Sequence, residues 1–261
     1  MRKLVFVHAA ALAVILAAPA IAADLPMKSE VPYVPPPFSW TSCYAGGHLG
    51  GGFGRNDMTD PVQLVQDSFL GTGSTIGTTT TSTSPTGVVV GGQIGCDYEF
   101  ASNLVIGIEG TASGTTMKGS TNVLLPLGSP DIALVQANND FLASVTGRVG
   151  YAFDNVLLYA RGGLALAGDK YNVSGATFLG PPPYNFQGLD NRYGYVAGGG
   201  VDWAFARHWS VNLEYDYYSF GHGNILMTEQ ISGAFSGVVD AKQTVQVVKV
   251  GLNFHIWGSG W

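Results

Sequence analysis

Apolar and polar residues alternate with a period of two through most of the chain after residue 40. Val211, Leu213 and Tyr215, for example, alternate with Asn212 and Glu214. This is the period of a β-strand, whose successive side chains point to opposite faces. In a barrel that crosses a bilayer, the apolar face meets lipid and the polar face lines the lumen. The alternation is ambiguous only in the first two segments, where glycine and alanine are frequent.

The pattern predicts eight strands, separated by connections that alternate between short and long. The strands are predicted at 41–55, 86–100, 103–117, 139–153, 156–170, 191–205, 208–220 and 242–256. The short turns fall at 101–102, 154–155 and 206–207, and the long connections at 56–85, 118–138, 171–190 and 221–241. Short periplasmic turns and long outer loops are typical of outer-membrane barrels. The predicted fold is all-β, an eight-stranded antiparallel transmembrane up-and-down β-barrel with short periplasmic turns and four long outer loops.

The composition favours a wall that faces lipid over a soluble domain. Only 11% of the residues are charged, whereas about a quarter are charged in an average soluble domain. The net charge of −6 leaves no basic footprint for nucleic acid. After the N-terminal run, no stretch reaches the roughly 20 apolar residues of a spanning helix. A membrane-spanning part of this chain must then be a closed barrel.

The N-terminal residues predict export. Arg2 and Lys3 precede an apolar run, and Ala20-Ile21-Ala22 offers a small–x–small cleavage pattern. We therefore predict a signal peptide at 1–22, a proline-rich periplasmic linker at 23–39 and the barrel domain at 40–261. The alternative is an uncleaved N-terminal anchor, because the run is nearly long enough to span a bilayer.

Strand parity turns most of the charged side chains inward. An arginine or lysine facing lipid at mid-membrane costs roughly 2–4 kcal/mol, and an eight-stranded barrel has an interior just filled by side chains. We therefore expect a paired polar network that plugs the lumen, with inner-face glycines making room for the arginines. Its predicted members are Glu109, Arg148, Arg161, Asp202, Glu214, Asp216 and Lys249, and Asp97 and Glu99 also face inward.

The two cysteines fall at similar heights of the first hairpin. Cys43 opens the first strand and Cys96 lies near the end of the second. Because both face outward, a cross-strand disulfide is expected in the oxidising periplasm. The alternative is two free thiols.

Aromatic residues cluster at the strand ends nearest the short turns, where rings favour the membrane–water boundary. The predicted periplasmic girdle consists of Trp40, Tyr44, Tyr98, Phe100, Tyr151, Phe153, Trp203, Phe205, Trp209 and Phe254.

The residues carry no recognisable catalytic, cofactor or metal motif. The histidines are dispersed without the spacing of a metal site, and His222 is the only one in a predicted long outer loop. The glycines around Gly50, Gly52 and Gly54 lie in an apolar strand with no helix after them, so they do not form a dinucleotide loop. The prediction is a non-enzymatic protein without a cofactor or a metal.

Several short motifs, in order along the chain, resemble those of the small outer-membrane immunogenic proteins of alphaproteobacteria. These are OmpA-type outer-membrane β-barrels, often labelled porin-family. The motifs are Ala-Ala-Asp-Leu-Pro at 22–26, the proline-rich linker, Phe-Ser-Trp-Thr at 38–41, Val-Gly-Gly-Gln-Ile-Gly at 90–95, Thr-Gly-Arg-Val-Gly-Tyr at 146–151, Leu-Tyr-Ala-Arg-Gly-Gly at 158–163 and Val-Lys-Val-Gly-Leu-Asn-Phe at 248–254. The resemblance implies that Phe254 is the terminal aromatic read by the insertion machinery. Because the chain continues to Trp261, that residue is the alternative.

These observations together predict a structural, surface-exposed protein of the cell outer membrane that contributes to envelope integrity. The alternatives are a narrow porin-like pore, an adhesin or receptor acting through its outer loops, and a soluble periplasmic sandwich or lipocalin-like barrel. The expected partners are outer-membrane lipid and the barrel-insertion machinery. Peptidoglycan and a host surface are further candidates, and nucleic acid is not expected as a partner. A monomer is expected.

Overall fold

The computed structural model describes residues 38–59, 80–124, 132–176, 184–230 and 236–256. Its strands are β1 (Ser42–Thr59), β2 (Thr80–Thr83), β3 (Thr86–Glu99), β4 (Leu104–Leu124), β5 (Ile132–Phe153), β6 (Val156–Ala176), β7 (Tyr184–Ala206), β8 (Trp209–Glu229) and β9 (Ser236–His255). None of the described residues forms a helix of sufficient length and apolarity to cross a membrane. The signal peptide predicted at 1–22 and nearly all of the predicted linker lie outside the described residues and stay predictions.

Eight of the strands close into an antiparallel ring. Each pairs with its sequence neighbour, β1 also pairs with β9, and the four-residue β2 pairs only with the outer end of β1. A line of direct partners followed around the ring from Ser42 returns to β1 at Gly52, ten residues further along. This stagger tilts the strands against the barrel axis, as closure of a sheet requires. The predicted eight-stranded barrel is confirmed.

A belt of large apolar side chains covers the outside of the barrel. Members on each of the eight ring strands include Leu49, Phe53, Val90, Ile94, Ile106, Ile108, Val145, Val149, Leu158, Leu164, Tyr195, Val201, Leu213, Val250 and Leu252, all exposed. Water-soluble proteins rarely expose a contiguous apolar surface of this extent, so the belt marks the wall that faces lipid. On β1 and β6 it ends at Phe53 and Leu166, and we take the membrane-spanning segments to end there.

The aromatic girdle forms at the periplasmic end, with two corrections. Eight of the ten predicted residues, from Tyr98 to Phe254, are exposed. Trp40 and Tyr44 are instead buried inside the lumen, at 0% and 2% exposure. Tyr44 shares the parity of the inward Ser42, and Trp40 precedes the first strand and folds back across the barrel mouth. The girdle prediction was wrong for these two residues.

The strands also continue well beyond the predicted outer ends. The connections expected at 118–138 and 171–190, for example, are strand at 118–124, 132–138, 171–176 and 184–190. In this outer extension the alternation inverts, so that apolar side chains face inward and mostly polar ones face outward. The inward cluster consists of Met58, Val135, Ala137, Tyr171, Val173, Phe186, Ile225, Met227, Val239 and Ala241. The extension is therefore built like a soluble barrel with its own core, although Leu189, Leu226 and Val238 remain exposed on its outside.

Candidate functional site

The lumen is closed on the periplasmic side by an aromatic floor. The Trp40 ring is fully buried there among Val105, Leu157 and other apolar side chains. Its indole Nε1 donates to the carbonyl oxygen of Asp154 at 3.2 Å, and its backbone N–H donates to Glu99 at 2.9 Å. These hydrogen bonds fasten the segment before β1 across the mouth of the barrel.

Directly above the floor, Arg161 on β6 links carboxylates from opposite sides of the lumen. Its Nη1 lies 2.6 Å from Glu109 Oε1 on β4 and also contacts Glu214 on β8. Its Nε faces Asp216 at 3.5 Å, and its Nη2 donates to the Ser144 hydroxyl at 3.2 Å. Arg161 therefore ties together strands that are not neighbours in the sheet.

Arg148 and Lys249 complete the network. Arg148 faces Glu109 at 3.2 Å, Asp97 at 3.5 Å and Asp202 at 3.9 Å. Lys249 Nζ lies 2.7 Å from Glu214 and 3.0 Å from Asp216. All seven residues predicted for the network are brought together in this layer, and each is at most 5% exposed.

Two tyrosines connect the charged groups, and the sequence pattern placed neither of them in the lumen, since Tyr44 was predicted in the girdle. Tyr44 donates its hydroxyl hydrogen to Glu109 and accepts from Arg148, both at 2.5 Å. Tyr159 donates to Glu214 at 2.7 Å, and its ring lies 4.1 Å beneath the Arg148 guanidinium. Parity alone could have placed both rings in the lumen, since each alternates with lipid-facing neighbours.

The inner-face glycines make room for these side chains, but mainly not for the arginines. A Cβ added at Gly95 would lie 2.5 Å from the Tyr44 ring carbon Cζ, and one at Gly107 would overlap the Asp97 carboxylate. One at Gly200 would lie 2.7 Å from the Tyr159 hydroxyl. The expectation that the glycines accommodate arginines was therefore wrong at these positions, because tyrosines and acids occupy the space.

A second polar layer, which the sequence analysis missed, lies in the outer extension. Asp169 accepts hydrogen bonds from Asn139 at 2.7 Å and Gln243 at 2.9 Å. Arg192 nearby pairs with Asp190 at 2.7 Å. Burial raises the pKa of Asp169 to about 6, against the lowering by these hydrogen bonds and by Arg192. The layer lies between the apolar core of the extension and a further apolar cluster that includes Met117 and Leu142.

The remaining predicted site residues lie outside the lumen. Cys43 and Cys96 are direct cross-strand partners and form a disulfide on the outer face. Phe254 is exposed, with its ring centre 5.2 Å from that of Trp209, and its role in insertion stays a prediction. His222 lies on the outside of the extension, 2.9 Å from Asp240. Within the described ranges, no group of three or more metal-ligating side chains comes together.

Comparison with known proteins also indicates an outer-membrane β-barrel. The family model described as "Outer membrane protein beta-barrel domain" matches residues 9–254. The 31 kDa outer-membrane immunogenic protein of Brucella melitensis biotype 1 is 25% identical over 94% of this chain and 97% of its own length. The 25 kDa outer-membrane immunogenic protein of Brucella abortus biovar 1 is 26% identical over 97% and 98%.

Among solved structures, the outer membrane protease OmpT from Escherichia coli superposes with a TM-score of 0.51 at 8% identity, covering 84% of this chain and 98% of that one. At this identity the likeness concerns the fold alone. The lipid-facing belt, the inward ion pairs and the family match over nearly the whole chain agree with one another. The chain belongs to the outer membrane protein beta-barrel domain family and is a protein of the cell outer membrane.

Proposed function

We propose that this protein is a structural, non-enzymatic outer-membrane barrel that contributes to envelope integrity and does not conduct. The observation that carries the proposal is the inaccessibility of the lumen charges. Side chains that line an open aqueous pore are in contact with water by definition. Here the side chains of Arg148, Arg161 and Glu109 are each only 1% exposed.

The stacking of layers along the barrel axis supports the same conclusion. From the periplasm outward, the aromatic floor is followed by the ionic network, an apolar cluster, the polar layer around Asp169 and the apolar core of the extension. An ion crossing this lumen would have to displace three apolar layers, in which it finds no compensating partner. The buried ion pairs instead connect strands that are not neighbours in the sheet. Such connections stabilise the barrel and favour a structural role.

The residues that the structure describes also suggest no catalytic site. The His222–Asp240 pair is exposed on the outside of the wall, without a nucleophile or a concave site described beside it. The protease named among the comparisons shares the fold with this chain at 8% identity, and fold does not carry function. We therefore keep the non-enzymatic assignment as part of the proposal.

The test of a sealed lumen combines conductance with thiol accessibility. The mature protein in a planar bilayer should show no steady open state. A cysteine placed at Ser144, which faces the lumen, should resist a water-soluble thiol reagent, whereas one placed at Lys170 on the outside should react. The native Cys43–Cys96 disulfide leaves no competing thiol. A steady current together with rapid labelling at position 144 would establish the pore and overturn the proposal.

The envelope role needs a test of its own. A strain without the gene should become more sensitive to detergent, and the wild-type protein should restore resistance. An Arg148→Met variant that reaches the membrane in an unstable form should restore it poorly. Full resistance in the deleted strain would contradict the structural role, whatever the lumen does.

A surface adhesin or receptor is the second candidate function. The outer extension favours it, because a packed core raises the strand tips away from the bilayer. The relatives named immunogenic are consistent with exposure at the cell surface. Replacing the residues between β1 and β2 by a short linker should abolish binding to a host surface while leaving membrane insertion intact. An unchanged binding level would remove this candidate.

A further inference from the structure

Among the residues that the structure describes, the lysines and arginines that face outward from the strands lie in one narrow zone. Nine lysines and arginines lie in the described residues. Arg148, Arg161 and Lys249 belong to the lumen network, Arg192 lies inside the extension, and Arg207 follows β7 in the periplasmic turn. The remaining four face outward from the wall and are exposed, and we call them the cationic ring. They are Arg55 on β1, Lys118 on β4, Lys170 on β6 and Lys242 on β9.

The stagger of the strands places these four residues at one height. A shift of ten residues over eight strands corresponds to roughly 1.25 residues for each step around the barrel. When this shift is applied to the observed pairings, Lys118, Lys170 and Lys242 fall within about one residue, or roughly 3 Å, of the height of Arg55. Residues far apart in the sequence thus lie at one height along the barrel axis.

That height is the outer edge of the lipid-facing belt. Phe53, two residues below Arg55, is 57% exposed, and Leu166, four residues below Lys170, is 43% exposed. Beyond this level the wall is mostly polar outside and apolar inside. The cationic ring therefore encircles the barrel where the headgroups of the outer leaflet begin.

Stability of the fold does not explain this placement. Arg55 pairs with Asp57 at 3.1 Å and Lys170 with Asp140 at 2.7 Å, and both cations are more than 60% exposed. Exposed pairs of this kind contribute about 0–1 kcal/mol and could lie at any height above the bilayer. With Asp57, Asp140 and Asp240, the zone has three acids against four cations. Lys118 makes no ion pair with any residue that the structure describes.

We propose that the cationic ring binds the phosphate groups of lipids in the outer leaflet. Lysine and arginine lay their apolar stems along the wall and present their charged heads at headgroup height. Each basic residue at a charged membrane surface contributes attraction to anionic lipid, and the arginine fork fits phosphate oxygens. Asp57 and Asp140 hold Arg55 and Lys170 along the wall. This binding goes beyond the structural role and does not depend on whether the lumen is sealed.

The test uses the mature full-length barrel in a neutral detergent, titrated with phosphatidic acid and, separately, with phosphatidylcholine. Bound lipid is counted by native mass spectrometry. Neutralising one ring residue, as in Lys118→Gln, should lower the affinity for phosphatidic acid about fivefold, because each such charge is worth about 1 kcal/mol. Neutralising all four should abolish the preference over phosphatidylcholine, and salt should weaken binding by the wild type.

Arg207→Gln is the matched control, because it removes one positive charge at the opposite rim. It should retain the wild-type affinity for phosphatidic acid. Folding of each variant is checked by the change in gel mobility on boiling. Equal losses in Arg207→Gln and Lys118→Gln, or full binding by the fourfold variant, would overturn the proposal. Displacement of the lipid by an equal concentration of inorganic phosphate would also overturn it, since the site would then recognise a free anion.

Discussion

Removal of Arg148 tests whether the lumen network holds the barrel together. Its guanidinium faces Asp97, Glu109 and Asp202 at 3.2–3.9 Å, in a layer with three cations and five carboxyl groups. Arg148→Met keeps much of the side-chain volume but leaves five carboxyl groups facing two cations. Breaking a buried pair by removing one partner costs about 3–5 kcal/mol. The ratio of folded to unfolded protein should therefore fall by roughly two to four orders of magnitude.

The assay is urea unfolding of the refolded barrel in neutral detergent, followed by tryptophan fluorescence and by the gel shift on boiling. The midpoint of the Arg148→Met variant should fall while the slope stays unchanged, because the surface exposed on unfolding is nearly the same. The double variant Arg148→Met with Asp97→Asn should recover part of the loss, since fewer uncompensated acids remain. Lys170→Met, which breaks only the exposed pair with Asp140, should lose at most about 1 kcal/mol.

Two outcomes would refute the reasoning. A midpoint for Arg148→Met within the range of Lys170→Met would mean that water or neighbouring groups compensate the lost cation fully. A double variant less stable than the single one would mean that Asp97 stabilises the fold independently of Arg148. Either result would remove the network as the source of the stability of the barrel.

Three further predictions concern other parts of the wall. The denatured, non-reduced protein should show no reactive thiol, and reduction of Cys43–Cys96, which are 53 residues apart, should lower stability by up to about 4 kcal/mol; two labelled thiols before reduction would contradict this. Because burial raises the pKa of Asp169 to about 6, its neutral form is favoured in the folded state. Protection of the outer extension against amide exchange should therefore be greatest below about pH 4 and decline as the pH rises through about 6, and Asp169→Asn should flatten this profile. A Cβ at Gly50 would lie 2.8 Å from the Lys249 Cα atom, whereas one at Gly51 would meet nothing closer than 3.9 Å. Gly50→Ala should therefore lose about 1–3 kcal/mol or more in urea unfolding while Gly51→Ala stays near wild type, and equal stability of the two variants would contradict the steric argument.

The membrane-spanning part of the fold follows from the sequence because lipid imposes a strict rule on each strand. A side chain such as Leu213 must face lipid and one such as Glu214 must face the lumen, so parity fixes the direction of both. The same rule brought together the seven network residues without any knowledge of their contacts. The distances among them depend on the ten-residue stagger, which the alternation of a single strand does not contain.

The outer extension was missed because the rule reverses there. Between Val135 and Ala137 the intervening Gln136 is polar, and we interpreted this stretch as loop because apolar residues were expected to face out. The strands beyond residue 171 can be found as well if the sequence is searched for the position at which the apolar residues switch from the outward to the inward face. Arg192 and Asp169 were missed for a related reason. Both keep the inward parity of their strands, but their partners could not be predicted. Asn139, which donates to Asp169, faces inward only because the bulge between Asn139 and Phe141 shifts the parity of β5 by one.

The reversal also predicts an order of events during biogenesis. The wall of the extension has polar groups on its outside, such as Asn172 and Gln187, so these segments lie in water beyond the lipid-facing belt. Water drives the apolar side chains around Phe186 together, and we expect this packing to follow insertion of the lower barrel. A substitution that removes the Phe186 ring should therefore let the lower barrel insert normally but prevent the outer extension from packing. The protein would then be inserted in the bilayer, with an outer extension that externally added protease can digest.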